Sequence, residues 1–252
     1  MNMNEVVGRD DLLMITLDTL RYDVAQDTWH KDRSPNLASR LPATGWEMRH
    51  TPGSFTYAAH AAFFAGFLPT PAQPGKHGRL FAMRFPGSET TTRDTCVLDG
   101  DNLAEGLAAR GYHTICIGGV GFFNKQSPLG HVFPSLFMES YWSPELGVTH
   151  RHSTRNQVRL AVEILDALPR DLRVFLFINV SAVHQPNYFY LHGACEDSIH
   201  SHRSALEYVD SELPPLFAAL ERRGSGFGIL CSDHGTAYGE DGYVGHRLAH
   251  AV

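Results

Sequence analysis

The feature that most constrains the fold is a series of short apolar runs, each too brief for a helix and each separated from the next by a segment of helical periodicity. Residues 12–17 form the first run, which ends in Asp18. Its length and polar leader predict a buried strand, so Asp18 falls at a strand's carboxyl end. Residues 102–110 then read as an amphipathic helix stopped by Gly111, followed by a strand over 114–118. A helix over 155–168, ended by Pro169, precedes a strongly apolar strand over 174–180. Helical spacing returns over 204–223, broken at Pro214 and Pro215, and the turn 224–226 leads into an apolar strand over 227–231. Parallel strands need a crossover, and a helix usually supplies it. The alternation therefore predicts an α/β fold, a mainly parallel central sheet with helices on both faces, formed by one domain over residues 1–252. The stretch 69–101, rich in Gly, Pro, Ser and Thr, is read as an excursion over the ligand-binding edge.

The bulk composition narrows the function. Of the 252 residues 19% are charged, with a formal net charge of −6, and no dense run of Lys or Arg is available to neutralise a nucleic-acid backbone. A polymeric nucleic acid is not expected as a partner. No apolar run is long enough to cross a bilayer, so no membrane partner is expected. The opening residues MNMNEVVGRDD lack the charged-then-apolar pattern of a secretory leader. The four cysteines, Cys96, Cys116, Cys195 and Cys231, show none of the paired spacings of thiolate zinc sites, and Cys116 and Cys231 fall in apolar strands as inert thiols. These features together predict a cytoplasmic location.

Chemistry-bearing residues collect at strand ends. Ser232-Asp233-His234-Gly235 follows an apolar strand directly, and presents a carboxylate and an imidazole, two ligand types suited to a divalent cation. Gly235 lets the chain turn away. Taken alone such a pair is more often a surface turn. Thr56 alone reads as a hydroxyl that caps a helix beginning near Ala58, a place where amide donors and the helix dipole also favour an incoming phosphate. Fifteen histidines raise the question of which lie beside carboxylates.

Seven segments, in order, give a fuller answer: LDTLRYD (17–23), SPNL (34–37), SFTYAAHAAFFAGFLPT (54–70), GYHT (111–114), FLFINVSAVHQP (175–186), ALEYVDSELPPLFAALE (205–221) and SDHGTAYGEDGYVGH (232–246). The series resembles the successive blocks of sulfatase-like enzymes of the alkaline phosphatase superfamily, which include sulfatases, phosphonate monoester hydrolases and phosphoethanolamine or phosphoglycerol transferases. The resemblance covers nearly the whole chain. It implies that Asp18, Asp233 and His234 hold one divalent metal, with Thr56 as both ligand and attacking alkoxide. A bound cation stabilises the ionised form of a hydroxyl that is otherwise a poor nucleophile. It also implies that His184 and His246 face the substrate, either protonating the leaving group or holding a second metal. His192 and His250 are weaker candidates for a third ligand there. His60 occupies a position where relatives place Arg or His, as a substrate-side residue or an anchor for the nucleophile's loop.

The chain departs from sulfatases where formylglycine would form. It reads Thr56-Tyr57-Ala58-Ala59-His60, and oxidation of threonine would give a ketone instead of an aldehyde. Gly118-Gly119-Val120-Gly121 stands where sulfatases carry a sulfate-binding Lys and His. Thr19 replaces a second aspartate and His234 an asparagine, which moves the ligand set from an all-oxygen calcium type towards Mn²⁺ or Zn²⁺. The expectation is a metal-dependent phosphomonoesterase, phosphodiesterase or phosphoryl-group transferase acting on a small phosphorylated or sulfated substrate. A sulfate or phosphonate ester hydrolase is the alternative enzyme, and a catalytically silent phospho-ligand or partner-binding module the alternative of another class. A second subunit of a homo-oligomer, or a partner protein, would complete the pocket.

Overall fold

The computed structural model describes residues 2–69, 80–88, 93 and 95–246. Strand β1 (Asp11–Leu17) leads to helix α1 (Tyr22–His30), the short α2 (Pro35–Ala38) and α3 (Thr56–Ala65). Helix α3 ends at Gly66, whose φ of 74° is the left-handed stop that a residue without Cβ adopts freely. Strands β2 (Phe81–Ala82) and β3 (Cys96–Val97) pair in parallel as a small separate sheet. They belong to the 69–101 excursion, of which residues 70–79, 89–92 and 94 lie outside the described residues.

Helix α4 (Leu103–Ala108) starts where Asn102 accepts hydrogen bonds from the Ala104 and Glu105 amides. Then come β4 (His113–Ile117), α5 (Pro128–His131), β5 (Glu139–Tyr141), α6 (Ser153–Ala167) and β6 (Val174–Val180). The proline pair divides the next helical stretch into α7 (Ile199–Glu212) and α8 (Pro214–Arg223), since a ring at Pro214 is tolerated only in a helix's first turn. A reciprocal Ser198–Ser201 capping box fixes the start of α7. Strand β7 (Gly226–Ser232) and the hairpin of β8 (Ala237–Tyr238) with β9 (Val244–Gly245) follow.

The main sheet has the order β5-β4-β6-β1-β7, and every pairing in it is parallel. In register, Leu17 of β1 lies opposite Val180 of β6 on one side and Ser232 of β7 on the other. The three carboxyl ends therefore finish level, which brings Asp18 beside Asp233, and the Asp233 carboxylate accepts from the Thr19 amide, 214 residues away along the chain. No helix among the described residues is long and apolar enough to cross a membrane.

Because side chains alternate across a strand, the sheet has two unlike faces. Leu13, Ile15, Leu17, Leu176, Ile178 and Val180 pack against α1, α6, α7 and α8. The opposite face, with Leu12, Met14, Phe175 and Phe177, meets α3, α4 and an aromatic group of Tyr57, Phe64, Phe123, Phe133 and Phe137. The apolar run of β7 does not make a buried strand as its composition predicts. It is the edge strand, with Ile229 44% exposed.

At the amino ends of the strands Arg223 closes the sheet. Its Nε donates to Asp11 Oδ2 at 2.8 Å, and its Nη atoms donate to the carbonyls of Leu165, Leu168, Pro169 and Leu172. Asp11 is 2% and Arg223 7% exposed, so the charges are buried and satisfied together.

Candidate active site

Four side chains far apart in the chain meet at the carboxyl edge of the sheet. The Thr56 hydroxyl lies 3.4 Å from Asp18 Oδ2 and 3.3 Å from His234 Nε2. His234 Nε2 in turn is 3.4 Å from Asp233 Oδ2 and 3.9 Å from Asp18 Oδ1. Thr56 is the first residue of α3, and the preceding Phe55 takes the cap position without a side-chain hydrogen bond. The capping role expected for Thr56 is thus corrected: the helix opens two residues earlier than Ala58, and the hydroxyl turns towards the carboxylates.

The hydrogen bonds of the two carboxylates leave one oxygen of each for a cation. Asp18 Oδ2 accepts from Asn179 Nδ2 at 3.0 Å, and Asp233 Oδ1 accepts from the amides of Thr19 and His234 at 3.1 and 3.0 Å. The other oxygen of each, Asp18 Oδ1 and Asp233 Oδ2, is buried without a partner. Leaving a buried polar atom unpaired costs about 1–3 kcal/mol, and more for a charged one, so two such oxygens aimed into one space fit a ligand of opposite charge. Ligand atoms of Asp18, Asp233 and His234 all lie within 4.8 Å of one another.

Electrostatics point the same way. Burial, reinforced by the Asp18 charge, pushes the Asp233 carboxyl well above its usual range, a shift that a cation beside it would oppose. Burial also lowers the His234 imidazole, which favours the neutral ring. Its Nδ1 donates to the Gly235 carbonyl at 2.9 Å, and that tautomer leaves the Nε2 lone pair facing the carboxylates, as a metal ligand requires. The site also stores backbone strain. Thr19, β-branched, has φ of 63°, a left-handed conformation that delivers its amide to Asp233.

His60 stands apart from its expected substrate-side place. It is 0% exposed and ringed by Phe63, Phe64, Phe123, Phe133 and Phe177 at centroid distances of 5.3–6.0 Å. Burial lowers its pKa to about 4, its Nδ1 donates to the Thr56 carbonyl at 2.8 Å, and its Nε2 accepts from the Thr16 hydroxyl at 3.0 Å. The neutral ring therefore ties the first turn of α3 to β1. Its Nδ1 lies 3.6 Å from Asp233 Oδ2, but a neutral ring whose proton serves Thr56 makes no salt bridge there. No face is left for a substrate.

His184 and His246 come from separate segments, yet their ring centroids are 5.2 Å apart, and His246 lies 4.5 Å from His234. Both are half-buried. His246 is depressed to about 4, first by burial and then by the neighbouring His234 and His184. His192 is exposed in a turn, and His250 lies outside the described residues.

Several residues of the site escape notice in the sequence. Asn179 holds Asp18, and its one signal is a polar residue inside the apolar run VFLFINV. Arg21, buried, pairs with Asp23 and with Glu240, so its pKa is raised. His202 is wholly buried in α7, and no motif sets it apart from the other histidines of the chain. Beside Thr56, on the outer side of α3, Phe55, Tyr57, Ala61, Phe85, Phe122 and Leu129 line an apolar cavity of 550 Å³.

A search of curated proteins gives no match. Among solved structures, the fold is similar to the C-terminal periplasmic domain of EcEptC from Escherichia coli, determined in complex with Zn, at a TM-score of 0.65 and 12% identity over 94% of this chain and 68% of that one. It is similar to the lipoteichoic acid synthase LtaP from Listeria monocytogenes (TM-score 0.61, 12% identity, 93% of this chain, 58% of that one). A protein in the alkaline phosphatase superfamily from Vibrio parahaemolyticus matches at a TM-score of 0.59 and 20% identity, over 91% of this chain and 55% of that one. The chain thus spans less than two thirds of the last two. The family model described as Sulfatase matches residues 10–251, nearly the whole chain, and the chain therefore belongs to the sulfatase family.

Proposed function

We propose that the chain is a metal-dependent hydrolase or phosphoryl-group transferase that acts on phosphate esters through Thr56, as one catalytic unit. The observation that carries this reading is the Thr56 hydroxyl, 3.4 Å from Asp18 and 3.3 Å from His234, beside two buried carboxylate oxygens without partners. Asp18, Asp233, His234 and Thr56 would hold the ion. One imidazole nitrogen among oxygen donors suits Mn²⁺ or Zn²⁺, and the similar EcEptC domain was solved with Zn. A bound divalent ion supplies a lowered hydroxyl pKa and draws charge from the transferring group.

The remaining steps belong to the protein. Asp18 accepts the Thr56 hydroxyl hydrogen bond and Asn179 fixes Asp18, so the oxygen is aimed before substrate arrives. Thr56 Oγ1 passes its proton to Asp18 Oδ2, which already accepts its hydrogen bond, and attacks phosphorus; the bond to the leaving oxygen breaks, and the protonated ring of His184 or His246 gives that oxygen its proton. Water or an acceptor hydroxyl then takes the phosphoryl group: its oxygen bonds to phosphorus, the P–Oγ1 bond breaks, and the proton it gives up restores the Thr56 hydroxyl. His184 Nδ1 is held by the Gln185 carbonyl, which leaves Nε2 for this exchange. A small phosphorylated substrate fits a site so enclosed, and the absence of a sulfate-binding Lys and His at 118–121 favours phosphate over sulfate.

Elemental analysis of the purified protein, combined with a panel of phosphate monoesters, diesters and sulfate esters, tests the reading. One tightly held Mn or Zn per chain and turnover of phosphate esters are expected. Thr56→Ala should keep the metal and lose turnover; full activity in that variant removes the nucleophile.

A further inference from the structure

Four segments carry the groups just described: the β1–α1 turn with Asp18, the 181–187 loop with His184, the 233–236 turn and the β8–β9 hairpin with His246. One hydroxyl connects three of them. Tyr238 Oη accepts from Asn187 Nδ2 at 2.8 Å and pairs with His202 Nδ1 at 2.9 Å. The Arg21 amide donates to His202 Nε2 at 3.3 Å, so the proton of the neutral ring sits on Nδ1 and is donated to Tyr238. Both lone pairs of the phenolic oxygen are then engaged.

Each partner leads to a functional segment. Asn187 braces the His184 loop from within: its second Nδ2 proton goes to the Val183 carbonyl at 2.8 Å, and its Oδ1 accepts from the Ser201 hydroxyl at 2.5 Å. Tyr238 lies opposite Val244 in the hairpin, two residues from His246. Arg21 belongs to the turn that begins at Asp18, and its guanidinium reaches both Glu240 in the hairpin and the Thr236 carbonyl. His202 and Asn187 are 0% exposed, so these bonds form where water does not compete. Helix α7, packed on α1 and α8, is the rigid post from which His202 acts.

We propose that Tyr238 is a positioning residue, whose hydroxyl locks the His184 loop and the His246 hairpin to the β1–α1 turn and so sets the two imidazoles over Thr56. Phenylalanine fills the same space and accepts no hydrogen bond. The proposal rests on the reading of His184 and His246 as the groups that protonate the leaving oxygen.

The test compares Tyr238→Phe with the parent on two phosphate esters, one with a 4-nitrophenolate leaving group, which departs without a proton, and one with an alkoxide, which needs it. Turnover of the alkyl ester is expected to fall about tenfold or more, within the range general acids supply, with the nitrophenyl ester within about twofold. Metal content should be unchanged. His202→Gln, which removes the same bond from the other end, should show the same split. Equal loss on both esters, or loss on neither, overturns the proposal. Imidazole ¹⁵N resonances give a readout free of turnover: His184 and His246 signals should shift in Tyr238→Phe, and unmoved signals overturn it. Thr56→Ala, run alongside, reports separately on the nucleophile, and if it keeps full turnover the resonance experiment alone decides the role of Tyr238.

Discussion

Replacing Asp233 by Asn separates two opposing effects of the buried carboxylate pair. In metal-free protein the ligand atoms of Asp18 and Asp233 lie within 4.8 Å, both at 0% exposure. Two unit charges at that distance repel by about 3 kcal/mol at an effective dielectric of about 20. The protein evades part of this by protonating Asp233, whose pKa is raised in the folded state. A folded state that holds a proton more tightly than the unfolded chain loses stability as pH rises from about 4 towards the raised pKa. Asn keeps an oxygen for the Thr19 and His234 amides and removes the charge. Chelator-treated Asp233→Asn is therefore expected to be more stable than the chelator-treated parent, by about 1–3 kcal/mol, with the gap wider at pH 8 than at pH 5.

Metal reverses the order. An ion at a thousandfold excess over its dissociation constant stabilises the parent by about 4 kcal/mol, and Asp233→Asn, lacking a ligand, should gain far less. Urea unfolding of both proteins, with chelator and with Zn²⁺ or Mn²⁺, measures all four values. The reasoning is refuted if the metal-free variant is the less stable protein, or if the ion stabilises the two equally.

Three further outcomes are expected. Asn179→Ala should weaken metal binding by about 10- to 100-fold in a competitive titration, because Asp18 loses its orienting donor. His202, held by burial at about 3, takes up a proton more readily unfolded than folded; its contribution is complete above pH 6.5 and fades below, by about 2 kcal/mol at pH 5, and a His202→Gln protein should show a shallower acid slope in urea unfolding. Arg223→Ala should cost about 3–5 kcal/mol in the same assay, since Asp11 Oδ2 and four carbonyls lose their donor, and only Asp11 Oδ1 keeps partners in Arg173 and the Val174 amide.

Much of this arrangement was legible because the chemistry sits where periodicity changes. Strand β6 begins and ends where its apolar run does, and Asp18 and Asp233 follow such runs immediately, so the sheet and its ligand edge could be read together. The start of α3 was misplaced because Thr is a good capping residue, and nothing local says that its hydroxyl has a partner 178 residues away. His60 was left between a substrate-side place and an anchor of the nucleophile's loop because motif position carries no information on depth; five phenylalanines scattered from 63 to 177 bury it in the anchor's place. Strand β7 looked like its buried neighbours because apolarity does not report strand order. The His202–Tyr238–Asn187 group was invisible for the same reason as the ligand edge was visible: its members sit on a helix, a hairpin and a loop, with no shared pattern.

The left-handed backbone at Thr19 carries a consequence for engineering. A glycine there would relieve about 1–2 kcal/mol of steric conflict between Cβ and carbonyl, which a thermostability screen would reward. The same exchange would give the turn after Asp18 many more conformations before folding and at rest, and the amide now held on Asp233 would spend time elsewhere. Selection for heat tolerance alone would thus drift towards a hardier protein with a blunter catalytic edge.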